Sequence, residues 1–297
     1  MPTRRTFLLG GLGVAALAVA GGYAGVEEGI LPGRVKLAEL TGQCDVDATP
    51  PTSNVAVQSG SFASSARKTS VGWSLAIPPN TPVKDLPVVL VLHGRGDDHT
   101  TAFKDLKLQD FLAAHTKSGG KPFALASVDG GRDSYWHPRR DGDNPLAMLA
   151  EEFLPLLRNR GLNTTRIGAL GWSMGGYGAL LLARESHRKS VKGLDVAAAA
   201  AGSPALFGSY KSSAQGAFDD ESDFAKYGDL SHDPDVGDTP LHVSCGRDDA
   251  FTDATTRYRG NVTPTPAGGI GKGCHTEGYW RSLASQQLAF LGGHLTA

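Results

Sequence analysis

Ser173 stands in Gly171-Trp-Ser-Met-Gly175, between a short apolar run, Arg166–Leu170, and a stretch that favours helix once past its glycines, Gly176–Ala183. A G-x-S-x-G turn from strand to helix holds its serine in a strained backbone conformation, with the hydroxyl exposed above the sheet. The flanking glycines are needed because a side chain at either place would strike the neighbouring strand or helix. The helix N-terminus behind the serine offers backbone N–H groups and the positive end of a dipole to an oxyanion. A serine hydroxyl is a poor nucleophile near neutral pH, so it needs a base, itself held by an acid.

Where a strand-to-helix serine is the nucleophile, the acid follows it in the chain and the histidine comes last. The apolar strand Pro240–Cys245 runs into Gly246-Arg-Asp-Asp249, so two carboxylates sit at the carboxyl end of a strand, where such sites are built. Asp249 is preferred to Asp248 because G-x-x-D is the commoner spacing at this turn, while the other Asp can bond its own turn backbone. Nine histidines compete for the base. His275 alone lies in a glycine-rich loop ahead of the last helical stretch. His242 is inside a strand, His294 follows the final helix, and His93 reads as structural.

Two backbone N–H groups complete the chemistry: that of Met174, after the nucleophile, and that of Arg95, in the loop after His93-Gly94. The long loop Val128–Pro145 carries Tyr135, Trp136 and His137, read as lining a substrate pocket that stacks on a sugar or holds an acyl chain. Arg139 and Arg140 read equally as a solvated face. Ser209–Asp238 reads as a small lid or a solvated connection.

These groups need a scaffold that brings distant segments together. Asn54–Arg67 and Thr69–Pro79 read as an antiparallel hairpin. The apolar runs Pro87–Gly94, Pro122–Asp129, Arg166–Leu170, Leu194–Ala201 and Pro240–Cys245 read as strands buried on both faces. Helical patterns fall between and after them, over Lys104–Thr116, Leu146–Asn159, Met174–Glu185 and Tyr279–Leu291. Alternating strands and helices predict an α/β fold, a mostly parallel central sheet flanked by helices on both faces.

The chain of 297 residues is 40% hydrophobic and 20% charged with a net charge of −1, an ordinary globular balance that gives no reason to expect nucleic acid as a partner. Thr3-Arg-Arg-Thr-Phe-Leu-Leu9 looks like a twin-arginine export motif, and the uncharged stretch Phe7–Val26 follows it. Residues 1–26 are read as this signal, cleaved near Ala18-Val-Ala20, or as an N-terminal anchor giving membrane association. Residues 27–53 read as a linker and entry segment, and 54–297 as the catalytic domain. Export exposes Cys44, Cys245 and Cys274 to an oxidising compartment, with one disulfide and one free thiol. Cys245–Cys274 is the preferred pair, since each flanks a proposed catalytic residue; Cys44 with either is the rival.

Leu92-His-Gly-Arg-Gly96, Asp129-Gly-Gly131, Gly171–Ala179, Cys245–Asp249 and His275 with Tyr279-Trp280 resemble one esterase family of the α/β-hydrolases. That family includes S-formylglutathione hydrolases, feruloyl and other carbohydrate esterases, and the mycolyltransferases of mycobacterial cell walls. The resemblance spans residues 54–291. It implies an α/β-hydrolase fold and a serine carboxylic-ester hydrolase with the triad Ser173, Asp249 and His275; the twin-arginine motif, which departs from the cytosolic S-formylglutathione hydrolases, implies a bacterial or archaeal, exported chain. The expected substrate is a small-molecule, lipid or carbohydrate ester, with no metal or organic cofactor. Acyl transfer to a sugar or lipid hydroxyl would use the same residues. A cell-envelope binding protein on an inactive hydrolase scaffold is the non-enzymatic alternative.

Overall fold

A computed structural model describes residues 41–295. The twin-arginine motif, the stretch to Val26 and the first part of the expected linker lie outside those residues. Among the described residues no helix is long and apolar enough to cross a membrane.

The hairpin forms from β1 (Val57–Ser64) and β2 (Thr69–Ala76), shorter at their outer ends than the sequence pattern suggested. The buried runs become β3 (Pro87–Leu92), β4 (Ala124–Val128), β5 (Asn163–Trp172), β6 (Val196–Gly202) and β7 (Leu241–Gly246). A two-residue strand, β8 (Ile270–Gly271), closes the edge. The order across the sheet is β1-β2-β4-β3-β5-β6-β7-β8. The β1/β2 and β2/β4 pairs are antiparallel and all later pairs are parallel. This is the α/β-hydrolase arrangement.

The expected helix over Lys104–Thr116 is two pieces, α1 (Thr101–Lys104) and α2 (Leu108–Lys117), because Lys107 takes a left-handed φ of 54° between them. The next helix, α3, starts at Pro145–Ala147, widens to a π-helical turn over Met148–Phe153 and resumes as Leu154–Asn159. Pro155 has no N–H to return to the preceding turn, which accounts for the widened winding just ahead of it. Then follow α4 (Met174–His187), α5 (Thr252–Asn261), which the sequence pattern did not reveal, and α6 (Glu277–His294).

Alternation along β3 divides the core. Val88, Leu90 and Leu92 face the layer built by α3, α4 and α5, whereas Val89 and Val91 face α1, α2 and α6. Strand β6 is VAAAAAG and buried throughout, so helices approach the sheet closely where it lies. Because β3, β5, β6 and β7 run parallel, the carboxyl ends of β3, β5 and β7 lie at one edge of the sheet, and those ends carry the candidate chemistry.

Candidate active site

Ser173 is the link between β5 and α4, with φ 53° and ψ −122°. A non-glycine residue in that region stores about 1–3 kcal/mol of strain. Surrounding bonds hold it there: its N–H donates to Gly202 O at 3.0 Å, and its carbonyl accepts from Tyr177 N–H at 3.0 Å and Ala205 N–H at 2.9 Å. The turn is closed so tightly that a Cβ on Gly175 would lie 1.9 Å from the Leu92 carbonyl oxygen. The glycines of the G-x-S-x-G pattern are therefore a steric condition for placing the elbow beside the end of β3.

The Ser173 hydroxyl makes no capping bond to α4. Its Oγ lies 2.9 Å from His275 Nε2, and His275 Nδ1 lies 2.9 Å from Asp249 Oδ2. The Asp249 carboxylate is buried, and its other oxygen accepts from Phe251 N–H at 2.9 Å. Asp249, and not Asp248, is the carboxylate on the histidine. The centre of the imidazole lies 5.3 Å from that of the Phe251 ring and 5.0 Å from that of Trp280, whose plane is perpendicular to it. A serine, an imidazole and a buried carboxylate so connected can pass a proton from the hydroxyl to the ring while the carboxylate steadies the positive charge.

Met174 opens α4, so its N–H is among the first-turn donors without an acceptor inside the helix. Among the described residues the Arg95 N–H also has no hydrogen-bond acceptor. The loop carrying Arg95 is braced from below. Asp97 Oδ2 accepts from Gly94 N–H at 3.2 Å and from Trp172 Nε1 at 3.1 Å, tying the loop to the residue before the serine. His93 is buried; Nε2 accepts from Gly130 N–H at 3.0 Å and Nδ1 donates to Gly94 O at 2.8 Å. Burial lowers the His93 pKa, which suits a neutral ring with one donor and one acceptor. No sequence signal marked Asp97 for this bracing.

Tyr135, Trp136 and His137 do not line an open pocket; their exposures are 2%, 0% and 0%. Left-handed φ values of 50° at Tyr135 and 59° at Trp136 turn the chain so that its rings point inward. Trp136 packs over Gly130 and Gly178, where a Cβ would lie 2.4 Å and 2.6 Å from its ring. His137 is stacked between Phe218 and Tyr227, both at 5.1 Å, and its Nε2 faces the Ala217 carbonyl at 2.9 Å. The aromatic residues against His275 are instead Trp280 and Phe251, with Phe207 packed on Phe251 at 5.6 Å.

Arg139 and Arg140 are not simply solvated. Arg139 donates to the carbonyls of Ala217 at 2.8 Å and Gly216 at 2.9 Å and pairs with Asp219, while Arg140 pairs with Asp220. Arg95 Nη2 donates to Gln215 O at 3.0 Å. The segment around residues 215–220 is thus fastened over the loops that follow β3 and β4.

The cysteine pairing differs from the preferred expectation. Cys44 bonds Cys274, and Cys245 is a buried free thiol. Cys245 is turned into the core toward Thr252, with Sγ 3.9 Å from its hydroxyl, whereas Cys274 follows the last backbone bond to β7 and meets the entry segment.

A family model described as "Putative esterase" matches residues 64–267. A ferulic acid esterase has a similar structure, with TM-score 0.67 and 19% identity over 81% of this chain and 99% of its own. An S-formylglutathione hydrolase from Agrobacterium tumefaciens gives 0.66 and 16% over 83% and 98%. A ferulic acid esterase from Anaeromyces mucronatus, solved with ferulic acid, gives 0.65 and 16% over 84% and 95%. At such identities the likeness establishes the fold. No curated protein sequence matches the chain.

Proposed function

Because the chain belongs to the "Putative esterase" family and is a carboxylic-ester hydrolase, we propose that it is an exported serine esterase working through Ser173, His275 and Asp249. The observation that carries this reading is the unbroken pair of 2.9 Å contacts from Ser173 Oγ through His275 to Asp249. His275 takes the hydroxyl proton as Ser173 attacks the ester carbonyl, and Asp249 holds the ring and stabilises the imidazolium. The N–H groups of Met174 and Arg95 receive the tetrahedral oxyanion. The proton passes from His275 to the leaving alcohol, and water then releases the acyl group from the serine by the same steps reversed.

Phe251, beside the histidine and backed by the buried Phe207, offers an aromatic surface that suits a short or aromatic acyl group. The ferulic acid bound by the Anaeromyces relative is a ligand of that chemistry. The Cys44–Cys274 disulfide supports residence in an oxidising compartment, in keeping with export by the twin-arginine motif read at Arg4-Arg5.

Hydrolysis of p-nitrophenyl esters from acetate to dodecanoate, and of methyl ferulate, tests this. The parent should be active, with preference for short and aromatic acyl groups, and Ser173→Ala should lose about a million-fold in kcat. Activity that survives Ser173→Ala would refute the mechanism. Product formed only when glycerol or trehalose is present would replace hydrolysis by acyl transfer.

A further inference from the structure

The loop that carries His275 is poorly suited to hold an imidazole still. Gly268, Gly269, Gly271 and Gly273 crowd into six residues, and Gly268 and Gly273 have φ of +83° and +138°. Backbone bonds fasten the loop to the end of β7: Cys245 N–H to Gly269 O at 3.1 Å, Arg247 N–H to Gly271 O at 2.6 Å, and Asp248 N–H to Gly273 O at 3.1 Å. That ladder ends at Gly273, two residues short of the histidine.

Beyond it the entry segment takes over. Cys44 is bonded to Cys274, immediately before His275. The Val46 carbonyl lies against Gly278, where a Cβ would be 2.5 Å away. The Asp47 carboxylate receives both Nε and Nη2 of Arg281 at 2.8 Å, while Arg281 Nη1 reaches Asp105 O at 2.9 Å. These contacts bracket the histidine at residues 274, 278 and 281. They also fix the first turn of α6, which carries Trp280 edge-on to the imidazole. Phe251 also lies against the ring, at 5.3 Å.

We propose that Cys44 and Asp47 are positioning residues for His275: the entry segment splints the histidine loop, so the rate of ester hydrolysis depends on the Cys44–Cys274 bond. This deepens, and rests on, the serine-esterase reading above. Reduction by a dithiol such as dithiothreitol transfers two electrons; the reagent closes to a cyclic disulfide, and Cys44 and Cys274 each leave as a protonated thiol. Cys245 offers no replacement partner, since it is buried and its thiol is pushed up to about 12 by burial and by Asp249. Asp47 is more than half exposed, so its ion pair alone contributes less than the disulfide. A chain exported already folded by the twin-arginine route would close this bond only after crossing, and would reach full activity there.

The test compares the oxidised full-length parent with Cys44→Ser, Asp47→Asn, Asp47→Glu and the dithiothreitol-treated parent. Two readouts are taken well below the unfolding temperature: kcat and KM on p-nitrophenyl acetate, and the low-field Nδ1 proton resonance of His275. A misplacement of the order of 1 Å costs about a hundredfold in rate, so Cys44→Ser and reduction should each lower kcat about ten- to a hundredfold with KM little changed. Both should broaden the resonance, and reduction should do nothing further to Cys44→Ser. Asp47→Asn should show a smaller loss in the same direction, which Asp47→Glu restores.

Unchanged kcat and resonance in the reduced parent, with only a lower Tm, would overturn the proposal and leave the disulfide a structural staple. Should Cys44→Ser fail to fold, the reduced parent and Asp47→Asn decide by the same two readouts. A parent inactive on every ester, yet losing the sharp resonance on reduction, would retain the splint and refute the esterase reading instead.

Discussion

A Cβ on Gly171 would lie 2.1 Å from the carbonyl oxygen of Gly175, so Gly171 closes the serine turn on the Gly175 backbone, as Gly175 in turn closes on that of Leu92. Neither can accept a methyl group by moving a flexible side chain. Gly171→Ala and Gly175→Ala should each cost about 4 kcal/mol or more. At Gly176 the nearest atoms to a new Cβ are 3.1 Å away, and helix propensity favours alanine, so Gly176→Ala should stay within about 1 kcal/mol of the parent. Chemical unfolding of the three variants checks this; similar losses at all three would contradict it.

Adjacent carboxylates should behave very differently. Asp249 holds His275 Nδ1 from a buried position, so Asp249→Asn should lower kcat about ten-thousandfold by favouring the wrong imidazole tautomer. Asp248→Asn should remain within a few-fold of the parent. Steady-state hydrolysis of p-nitrophenyl butyrate by both variants is the measurement, and comparable losses would remove Asp249 from its assigned role.

Stability should fall as the solution is acidified through the histidine range. His93, His137 and His242 all have pKa values lowered by burial from the usual 6.5. Below that value the unfolded chain binds more protons than the folded one, so stability present above pH 6.5 is lost as pH falls toward the folded values. Tm measured from pH 7.5 down to 5 should therefore decline, and His242→Gln should flatten the slope. A Tm independent of pH over that range would refute the linkage.

Thiol titration should follow the cysteine arrangement. With Cys44 and Cys274 bonded and Cys245 buried, a thiol reagent should find no reactive group in the native protein. In denaturant it should find one, and after reduction all three cysteines of the chain. A labelled peptide containing Cys44 or Cys274 from the unreduced protein would contradict the pairing.

The legible parts of this fold are those governed by local sterics and periodicity. The glycines around Ser173 announced a turn because only glycine fits between backbone atoms that close, and the apolar run of β3 announced a strand buried on both faces. The Asp249–His275 contact could be anticipated from chain order, since both sit at loops following the same sheet edge. Cysteine pairing was not legible, because Cys44 reaches Cys274 across 230 residues and only the folded path of the entry segment brings them together. Tyr135, Trp136 and His137 looked like pocket residues by composition. Two left-handed backbone residues reversed their direction, and nothing in the side-chain types signals such a reversal. Helix α5 escaped notice because its sequence, TDATTRYRGN, buries only Thr255 and Tyr258 and so has almost no apolar stripe.

The bond between Cys44 and Cys274 also closes residues 44–274 into a covalent ring. Tension applied at the chain's ends runs through that bond, and the whole sheet lies inside the ring, shielded from load. Among the described residues, those ahead of Cys44 and those from His275 through α6 lie outside the ring. Helix α6, which sets Trp280 against His275, therefore stands outside the loop that carries the strands.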